Sequence, residues 1–425
     1  MEKIFKLKEH GVSVKTEFIA ALTSFFAAVY IIIVNASILG DSGIAVEPLI
    51  IATVLASLVG CLLAAFLSNT PLIIMPGMGI NALFTYTLVN SLGLSFYEAL
   101  GAVVVAGVLF TVIAVTPMAE IINKAIPVSL KHSITVGLGL FIAFLGLQKS
   151  GLVIQDPSTF VGIGDLSDLG ILAFLLILII TLFMFLKNIP GGFLLGIVLG
   201  TIICVVFNII DLPNSYFSIP DFESYRNIFF KADFSGIRYM NFWIATFSLT
   251  LILLFENIGI LHGQVDSMLK SPEKNKKSLI SVALSAIACG FLGTSPSVST
   301  IEGSSGITQG GRTGLTALFT GIMFLLSLFM IPFIKLIPNE AIAPVLIIIG
   351  CLMIQNLKDL NFDDFSELFP SFLVIILIPL TFSIVNGIAI GFIAYPICKI
   401  FSGKYEELSF PIYIISFLFL IYLIL

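Results

Sequence analysis

The stretches TPLIIMPGMGIN, at Thr70–Asn81, and TSPSVSTIEG, at Thr294–Gly303, decide the fold. Each of them interrupts an apolar segment with a proline and then runs through a few residues into glycine. Pro71 and Pro296 are 225 residues apart, so the same plan occurs once in each half of the chain. Because proline and glycine break helices, the pattern predicts an internal repeat in which the third and tenth spans are interrupted by short extended stretches.

The composition around these stretches excludes an ordinary soluble protein. Of the 425 residues, 58% are hydrophobic and 11% are charged, and the mean hydropathy is +1.13. Soluble domains carry about 25% charged residues, so a soluble fold of this composition would leave large apolar areas in water. We therefore exclude a soluble enzyme, a DNA-binding protein, a disordered chain and a small disulfide scaffold, and we predict an all-α polytopic membrane protein.

Fourteen apolar segments can be read as spans, at about 20 residues for a transmembrane helix. A polar linker at 211–240 separates seven segments from seven, and an odd number per half predicts an inverted repeat, a plan found in transporters. The apolar tail at 410–425 either spans the membrane or lies along its surface. The predicted spans are 16–39, 48–69, 71–91, 96–116, 129–147, 170–187, 191–210, 241–262, 277–293, 295–309, 313–335, 341–357, 366–384 and 386–401.

Positive charge is unequally divided between the two sides of these spans. With the N-terminus in the cytoplasm, fifteen of the 20 Lys and Arg residues fall in cytoplasmic segments and five fall outside. The positive-inside rule therefore predicts a multi-pass protein of the cell membrane with a cytoplasmic N-terminus. The five cysteines stand singly, without the spacing of metal ligands, so we predict neither a disulfide nor a bound metal.

Two carboxyl groups are expected at membrane depth, that of Glu256 inside an apolar helix and that of Glu302 in the second interrupted segment. A charge at this depth costs about 2.5–3.5 kcal/mol, so such residues are candidates for function. Two neighbouring carboxyl groups favour protonation of each other, which suits proton exchange. The alternative is that each acid bonds a backbone carbonyl or a hydroxyl and serves packing alone.

Asn81 lies in the half-helix that is expected to follow the first interruption, and its amide can both donate and accept hydrogen bonds. It is either a ligand-binding residue or a helix cap that joins neighbouring helices. Gly79 and Gly303 are candidates for close approach of the backbone to a ligand. Since no βαβ unit accompanies these glycines, they do not indicate a dinucleotide site.

Three aromatic side chains could stack on a flat ring, namely those of Tyr30, Phe84 and Phe255. We retain Phe255 as the candidate, because it adjoins Glu256. The sequence contains no Ser-His-Asp set, metal-ligand cluster or Gly-Lys-Ser/Thr phosphate loop. The pattern therefore favours neither an enzyme nor an ATP-driven pump, and any coupling must come from an ion gradient.

Five motifs spread over nearly the whole chain carry a family resemblance. They are YIIIVN at 30–35 with SIL at 37–39, MPGMGINA at 75–82, GGRTGLTA at 310–317, APVLIIIG at 343–350 and PLTFSI at 379–384. Together they resemble the nucleobase:cation symporter family, in the azaguanine-permease-like purine branch of the xanthine/uracil permease superfamily. The resemblance implies a homodimer with a 7+7 inverted repeat, in which a core domain (1–116 and 241–336) moves against a gate domain (117–240 and 337–425).

The resemblance also implies alternating-access import of a nucleobase, with adenine, guanine or hypoxanthine as the expected class. Import would be coupled to H⁺ rather than Na⁺, without an organic cofactor and without nucleic acid as a partner. The family's substrate contacts fall on Asn81, Glu256 and Glu302, and the two acids would also carry the proton. Where the branch has Asp followed by Thr, this chain has Glu256-Asn257, which leaves uracil or xanthine open as the substrate. An anion carrier of the same fold and an uncoupled channel remain as alternatives.

Overall fold

The computed structural model describes residues 2–210 and 220–424, so part of the predicted linker, 211–219, and the last residue of the tail lie outside the described residues. The described chain is mainly helical and includes two separate two-stranded sheets. Its first elements are α1 Glu2–Phe5, α2 Val14–Ala28, α3 Tyr30–Gly40, α4 Val46–Leu63, β1 Ile74–Pro76, α5 Met78–Ala82, α6 Phe96–Val115, α7 Met118–Ala125, α8 Val128–Lys149, β2 Val153–Asp156, β3 Phe160–Ile163, α9 Leu169–Leu186 and α10 Gly192–Val206. The remaining elements are α11 Phe222–Tyr225, α12 Met240–Leu261, α13 Asn275–Leu292, β4 Ser297–Ser299, α14 Gly303–Thr308, α15 Gly314–Leu326, α16 Ile331–Lys335, α17 Asn339–Ile354, α18 Phe365–Thr381, α19 Ile384–Phe401 and α20 Phe410–Ile424.

Nine helical segments of the described chain are long and apolar enough to cross a membrane. Three shorter apolar helices, α10, α18 and α20, accompany them. The protein is therefore a multi-pass membrane protein, as the composition predicted. The nine segments are Val14–Gly40, Val46–Ser68, Phe96–Val115, Val128–Lys149, Leu169–Leu186, Met240–Met268, Gly314–Lys335, Asn339–Asp359 and Ile384–Phe401.

The chain packs into two units, each with its own set of helix contacts. The first unit comprises Met1–Thr116 and Leu176–Ala341, and the second comprises Pro117–Leu175 and Ile342–Leu425. In the first unit, α6 packs on α12 and α13, and α15 packs on α2 and α4. In the second unit, α18 packs on α8 and α19.

The described part of 176–240 groups with the first unit, although the resemblance placed it in the gate domain. Two contacts within that unit account for the grouping. Helix α10 packs on α2 and α3, and the hydroxyl of Tyr225 donates a hydrogen bond to the carbonyl of Leu292 at 3.0 Å. Packing alone therefore divides the chain differently from the expected core and gate, whose boundaries stay a prediction.

The two interrupted segments meet inside the first unit. Strands β1 and β4 pair antiparallel, and each strand is followed by a short helix, α5 or α14. Two glycines permit the close approach of backbone here. A Cβ at Gly77 would lie 2.7 Å from Cγ2 of Val298, and one at Gly60 would lie 2.4 Å from the carbonyl oxygen of Ile74. A larger residue at Gly60 would push α4 away from β1, and one at Gly77 would collide with the side chain of Val298 in β4.

Glu17, in the first turn of α2, holds the turn that leads into α15. Its carboxylate accepts hydrogen bonds from the backbone N–H groups of Arg312 at 3.0 Å, Thr313 at 3.2 Å and Thr316 at 3.1 Å. The hydroxyl of Thr316 donates to the same carboxylate at 2.5 Å. Glu17 is fully buried. Because the first N–H groups of a helix have no intrahelical acceptor, the carboxylate supplies one.

The apolar tail is helical over 410–424 and packs on α19 in the second unit. Ser416 Oγ donates to the carbonyl of Phe392 at 2.5 Å, and the hydroxyl of Tyr422 donates to Asn386 Oδ1 at 2.5 Å. These two bonds tie α20 to α19 at points about two turns apart. The tail is therefore part of the packed second unit.

A buried lysine lies among three carboxylates at the end of α19. Lys399 Nζ donates to Asp364 at 3.2 Å, to Glu367 at 2.9 Å and to Glu407 at 2.5 Å, and its side chain is fully buried. The ammonium thus occupies the centre of a carboxylate cluster whose spacing could otherwise suit a metal ion. Lys404 adds a second hydrogen bond to Asp364 at 2.7 Å. The hydrogen bonds from the two lysines, led by Lys404, help to hold the pKa of Asp364 well below its usual range.

Replacing Glu17 by alanine should lower the free energy of unfolding by about 1–3 kcal/mol, because buried N–H groups lose their acceptor. Scanning calorimetry of the purified protein in detergent measures the change. Glu9→Ala is the matched control, since the carboxylate of Glu9 is exposed and pairs with Lys6 on the surface. Equal midpoints for the Glu17 variant and the wild type would contradict this role.

The depressed pKa of Asp364 gives a second expectation, which concerns pH. A carboxylate with a lowered folded pKa contributes stability above its unfolded pKa, and that stability is lost as the pH falls through the folded pKa. Asp364→Asn should therefore unfold at a lower temperature than the wild type at pH 7, and the difference should shrink below about pH 4. Thermal unfolding between pH 2 and pH 7, with exposed Asp363→Asn as control, measures it. A difference that does not vary with pH would refute the explanation.

Candidate functional site

Glu302 lies between β4 and α14, where the second interrupted segment becomes helical. Its carboxylate accepts a hydrogen bond from the hydroxyl of Tyr30, the first residue of α3. Tyr30 is fully buried, and its ring meets that of Phe193 edge-on with 5.2 Å between the centroids. The packed phenol therefore gives the half-buried acid a fixed partner.

Glu256 lies in the second half of α12 and is half-buried. Its Oε2 atom is buried and has no hydrogen-bond partner among the described residues. Helix α12 packs on β4, the strand that precedes Glu302 in the chain. Since a buried polar atom without a partner costs about 1–3 kcal/mol, this oxygen marks a position where a donor from a ligand, or a proton, would be stabilised.

Asn81 is fully buried in α5, one turn after the end of β1. Its Oδ1 accepts a hydrogen bond from Ser295 Oγ at 2.6 Å, while its Nδ2 has no partner among the described residues. The N-terminal cap of α5 is Gly77, so Asn81 does not cap its own helix. Its amide therefore connects the two interrupted segments through Oδ1, while the buried Nδ2 remains available as a donor.

Asn35 extends this connection to two further helices. Its Nδ2 donates to Thr53 Oγ1 at 2.7 Å and to Thr294 Oγ1 at 3.1 Å, and its Oδ1 accepts from Ser295 Oγ at 3.3 Å. A continuous set of buried hydrogen bonds therefore runs from α4 through α3 to Ser295 and Asn81. This set fixes the first interrupted segment against the second.

The other three candidates also lie in the first unit. Gly79 is buried in α5, and Gly303 begins α14. A Cβ at Gly303 would lie 3.2 Å from the backbone nitrogen of Ile73, so the glycine permits close packing on the residue that precedes β1. Phe255 is half-buried beside Glu256. The six candidates thus divide among α5, α12 and the β4–α14 segment.

Sequence reasoning treated Tyr30 only as an aromatic face, and it did not identify Asn35 or Ser295 as part of the site. The criterion that selected Glu256 and Glu302, a polar group at membrane depth, could have found Asn35, which lies within an apolar helix. Tyr30 gave no such signal, because its hydroxyl bond to Glu302 joins residues 272 apart in the chain.

These features define a class of protein: a multi-pass membrane protein in which two interrupted segments pair and carry buried polar groups, the plan of a membrane transporter. The chain belongs to the Permease family, whose model matches residues 15–390. The family resemblance that the motifs indicated is confirmed.

Two characterised relatives align over most of their length. The chain is 42% identical over 382 residues to the nucleobase transporter PlAzg2 of Paenibacillus larvae, which covers 90% of this chain and 76% of the relative. It is 37% identical over 430 residues to the guanine/hypoxanthine permease PbuO of Bacillus subtilis, which covers 99% of both chains. Both relatives are transport proteins.

The fold is also similar to that of solved transporters. The transmembrane domain of the cyanobacterial bicarbonate transporter BicA superposes with a TM-score of 0.66, covering 89% of this chain and 97% of that domain. The sequences are 16% identical. At this identity the likeness concerns the fold alone.

The bond network around Asn35 leads to a stability prediction. Asn35→Ala should lower the free energy of unfolding by about 1–3 kcal/mol, because Thr53, Thr294 and Ser295 each lose a buried partner. Asn227→Ala is the matched control, since Asn227 is exposed. Calorimetric midpoints of the two variants and the wild type provide the measurement, and an unchanged midpoint for the Asn35 variant would show that the network adds no stability.

Proposed function

We propose that the protein imports a nucleobase, and specifically a purine of the adenine, guanine or hypoxanthine class, by symport with H⁺. The observation that carries the proposal is that Asn81, Glu256 and Glu302 lie in one packed unit, with an unpartnered oxygen on Glu256 and an unpartnered donor on Asn81 among the described residues. The names of the relatives, a nucleobase transporter and a guanine/hypoxanthine permease, support the choice of substrate.

The chemistry of a purine complements these groups. A purine edge offers ring N–H donors beside carbonyl or ring-nitrogen acceptors, and it is flat. In the proposed complex the carboxyl groups of Glu256 and Glu302 bond the donor edge, and Asn81 Nδ2 donates to an acceptor. Backbone at Gly79 and Gly303 completes the polar contacts, and Phe255 provides an aromatic face. Burying the polar groups of the protein and of the purine is favourable only when each donor meets an acceptor.

The same two acids are proposed to carry the coupling proton. Two carboxyl groups within electrostatic range favour a state in which at least one is protonated. The proton would bind to one of these carboxyl groups when the purine binds, and it would be released inside the cell. The hydroxyl of Tyr30 donates a hydrogen bond to the carboxylate of Glu302. It would release this carboxylate when Glu302 binds the proton or the purine. Coupling by H⁺ rather than Na⁺ requires no metal or organic cofactor.

For the movement we propose alternating access of a core domain against a gate domain, with about 14 spans as a 7+7 inverted repeat. The antiparallel pairing of β1 with β4, each followed by a short helix, supports the inverted plan. The proposed core is 1–116 with 241–336, and the proposed gate is 117–240 with 337–425. A homodimer with cytoplasmic N-termini completes the proposal.

Other substrates are weaker candidates. The Glu256-Asn257 pair departs from the branch motif, so the smaller pyrimidine uracil, or xanthine, a purine with a different polar edge, could replace adenine, guanine or hypoxanthine. An inorganic anion is disfavoured because two acids in the site would repel it, although the bicarbonate transporter BicA shares the fold.

The acids provide the central test. Glu302→Gln and Glu256→Gln should each abolish purine uptake into proteoliposomes driven by an inward H⁺ gradient, because the amide cannot exchange the proton. Glu273→Gln is the matched control, since Glu273 is exposed outside the site. Wild-type uptake by either variant, at equal reconstituted protein, would refute the mechanism.

The substrate class is tested by ligand-induced thermal stabilisation of the wild type. The panel comprises adenine, guanine, hypoxanthine, xanthine, uracil and cytosine, with sulfate and bicarbonate as anion controls. A ligand that binds only the folded state raises the midpoint. We expect the purines to give the largest shifts, and a shift from an anion alone would overturn the proposed function.

A further inference from the structure

The segment that carries Glu302 is held by two amide side chains. These are Asn257 of α12, which adjoins Glu256 in the chain, and Gln264, which lies seven residues further on in the π-helical turn that follows α12. Both amides face the segment, since each forms hydrogen bonds to residues within it. Neither residue is among the proposed ligands of the substrate.

Asn257 bonds both its own helix and the segment opposite. Its Oδ1 accepts a hydrogen bond from the backbone N–H of Ser299 at 2.9 Å, and its Nδ2 donates to the carbonyl of Leu253 at 2.7 Å. Asn257 and Ser299 are both fully buried. The amide is thus locked by its own helix while it holds the end of β4.

Gln264 makes three bonds to the same segment. Its Nε2 donates to the carbonyl of Thr300 at 2.7 Å and to Ser304 Oγ at 3.1 Å, and its Oε1 accepts from Ser299 Oγ at 2.8 Å. Only 2% of Gln264 is exposed. Its bonds therefore flank Glu302 on both sides, at positions three and two residues before it and two residues after it.

The helix is distorted where Gln264 leaves it. Residues His262–Met268 form a π-helical turn that continues α12. Such turns often occur at functional sites, and this chain also has π-helical stretches at Ala64–Ser68 and Leu83–Ser91. Because of the wider turn, the position of Gln264 does not follow the α-helical spacing of α12.

The opposite side of the segment is held by β1. Besides the strand pairing, the N–H of Thr300 donates to the carbonyl of Ile73 at 2.9 Å. Ser299 and Thr300 are therefore bonded to the first interrupted segment on one side. On the other side, Asn257 and Gln264 connect the segment to α12 and to the turn that continues it.

We propose that Asn257 and Gln264 are positioning residues that set the separation and orientation of the Glu302 carboxyl relative to that of Glu256. The inference rests on the proposed function, and it deepens that function by assigning the geometry of the acid pair to two residues outside the substrate contacts. Because electrostatic coupling between two carboxyl groups depends on their separation, the amides control how the pair binds and releases its proton.

The test uses Gln264→Met, which keeps the length of the side chain and removes its hydrogen bonds, in the full-length protein in lipid nanodiscs. Guanine is the probe, and its Kd is measured between pH 5 and pH 8. We expect Kd to rise about tenfold or more and the pH midpoint of binding to move. The reason is that the separation and orientation of the Glu256 and Glu302 carboxyl groups are no longer fixed. Gln309→Met is the matched control, since Gln309 is exposed beside the same segment.

Gln264→Glu serves as the conservative variant. Its carboxyl keeps the oxygen that accepts from Ser299, and when protonated it can also donate to Thr300. Affinity for guanine should therefore be recovered more fully at pH 5 than at pH 8. If Gln264→Met does not fold, Ser304→Ala removes one of the three bonds and should shift Kd and the pH midpoint in the same direction by a smaller amount.

Hydrogen exchange separates this inference from the proposed function, because it needs no substrate. Amides of 299–304 should exchange faster in Gln264→Met than in the wild type, with little change in α6 or α13. If the wild type binds no base, the proposed function fails. The hydrogen exchange of residues 299–304 in Gln264→Met and in the wild type then tests by itself whether Gln264 holds this segment in place. Unchanged exchange, or a general loss of stability with unchanged Kd and pH midpoint, would overturn the inference.

Discussion

Every backbone N–H and C=O group at membrane depth must find a partner within the protein, because hydrocarbon offers none. Helices meet this requirement by themselves, but the two interrupted segments do not. In the first unit β1 pairs with β4. The backbone groups of each interrupted segment thereby find hydrogen-bond partners in the other segment. This pairing brings residues near 75 and 298 into contact, and Gly60 and Gly77 provide the space for it. The positions of the half-helices, and of everything attached to them, depend on it.

Polar side chains form hydrogen bonds to the parts of the two segments that lie outside the strand pairing. Asn35, Ser295, Asn257 and Gln264 bond the segment edges to the surrounding helices, and Glu17 supplies acceptors for the turn before α15. Among the described residues, eleven buried side-chain atoms have no hydrogen-bond partner, and nine of them are serine or threonine hydroxyls. The other two, Asn81 Nδ2 and Glu256 Oε2, belong to an amide and a carboxyl group, for which the cost of a missing partner is about 1–3 kcal/mol or more. Exceptions of this kind are what a bound molecule with complementary donors and acceptors can use.

The fold was largely accessible from sequence, and the site was accessible in part. Long apolar runs locate helices because hydrophobicity is a local property, and α6, α8 and α19 begin within two residues of the predicted starts. Glu256 and Glu302 were found because a carboxyl group in an apolar run is visible in one dimension. Glu17 was overlooked, since it lies near the start of a span where a charged residue is ordinary. The span count, the core and gate boundaries and the role of each site residue remain predictions.

The sequence by itself determined a multi-pass helical membrane protein of the Permease family with two interrupted segments, because composition, helix breakers and motifs are contained in short stretches of chain. Only the tertiary structure decided the partners. Tyr30 bonds Glu302 across 272 positions and Glu17 bonds Thr316 across 299, and no local pattern encodes such pairs. The partners follow from the way the helices of the first unit pack, which is a property of the whole chain. The physical reason is that a hydrogen bond depends on distance and angle in space, whereas a sequence records only order along the chain.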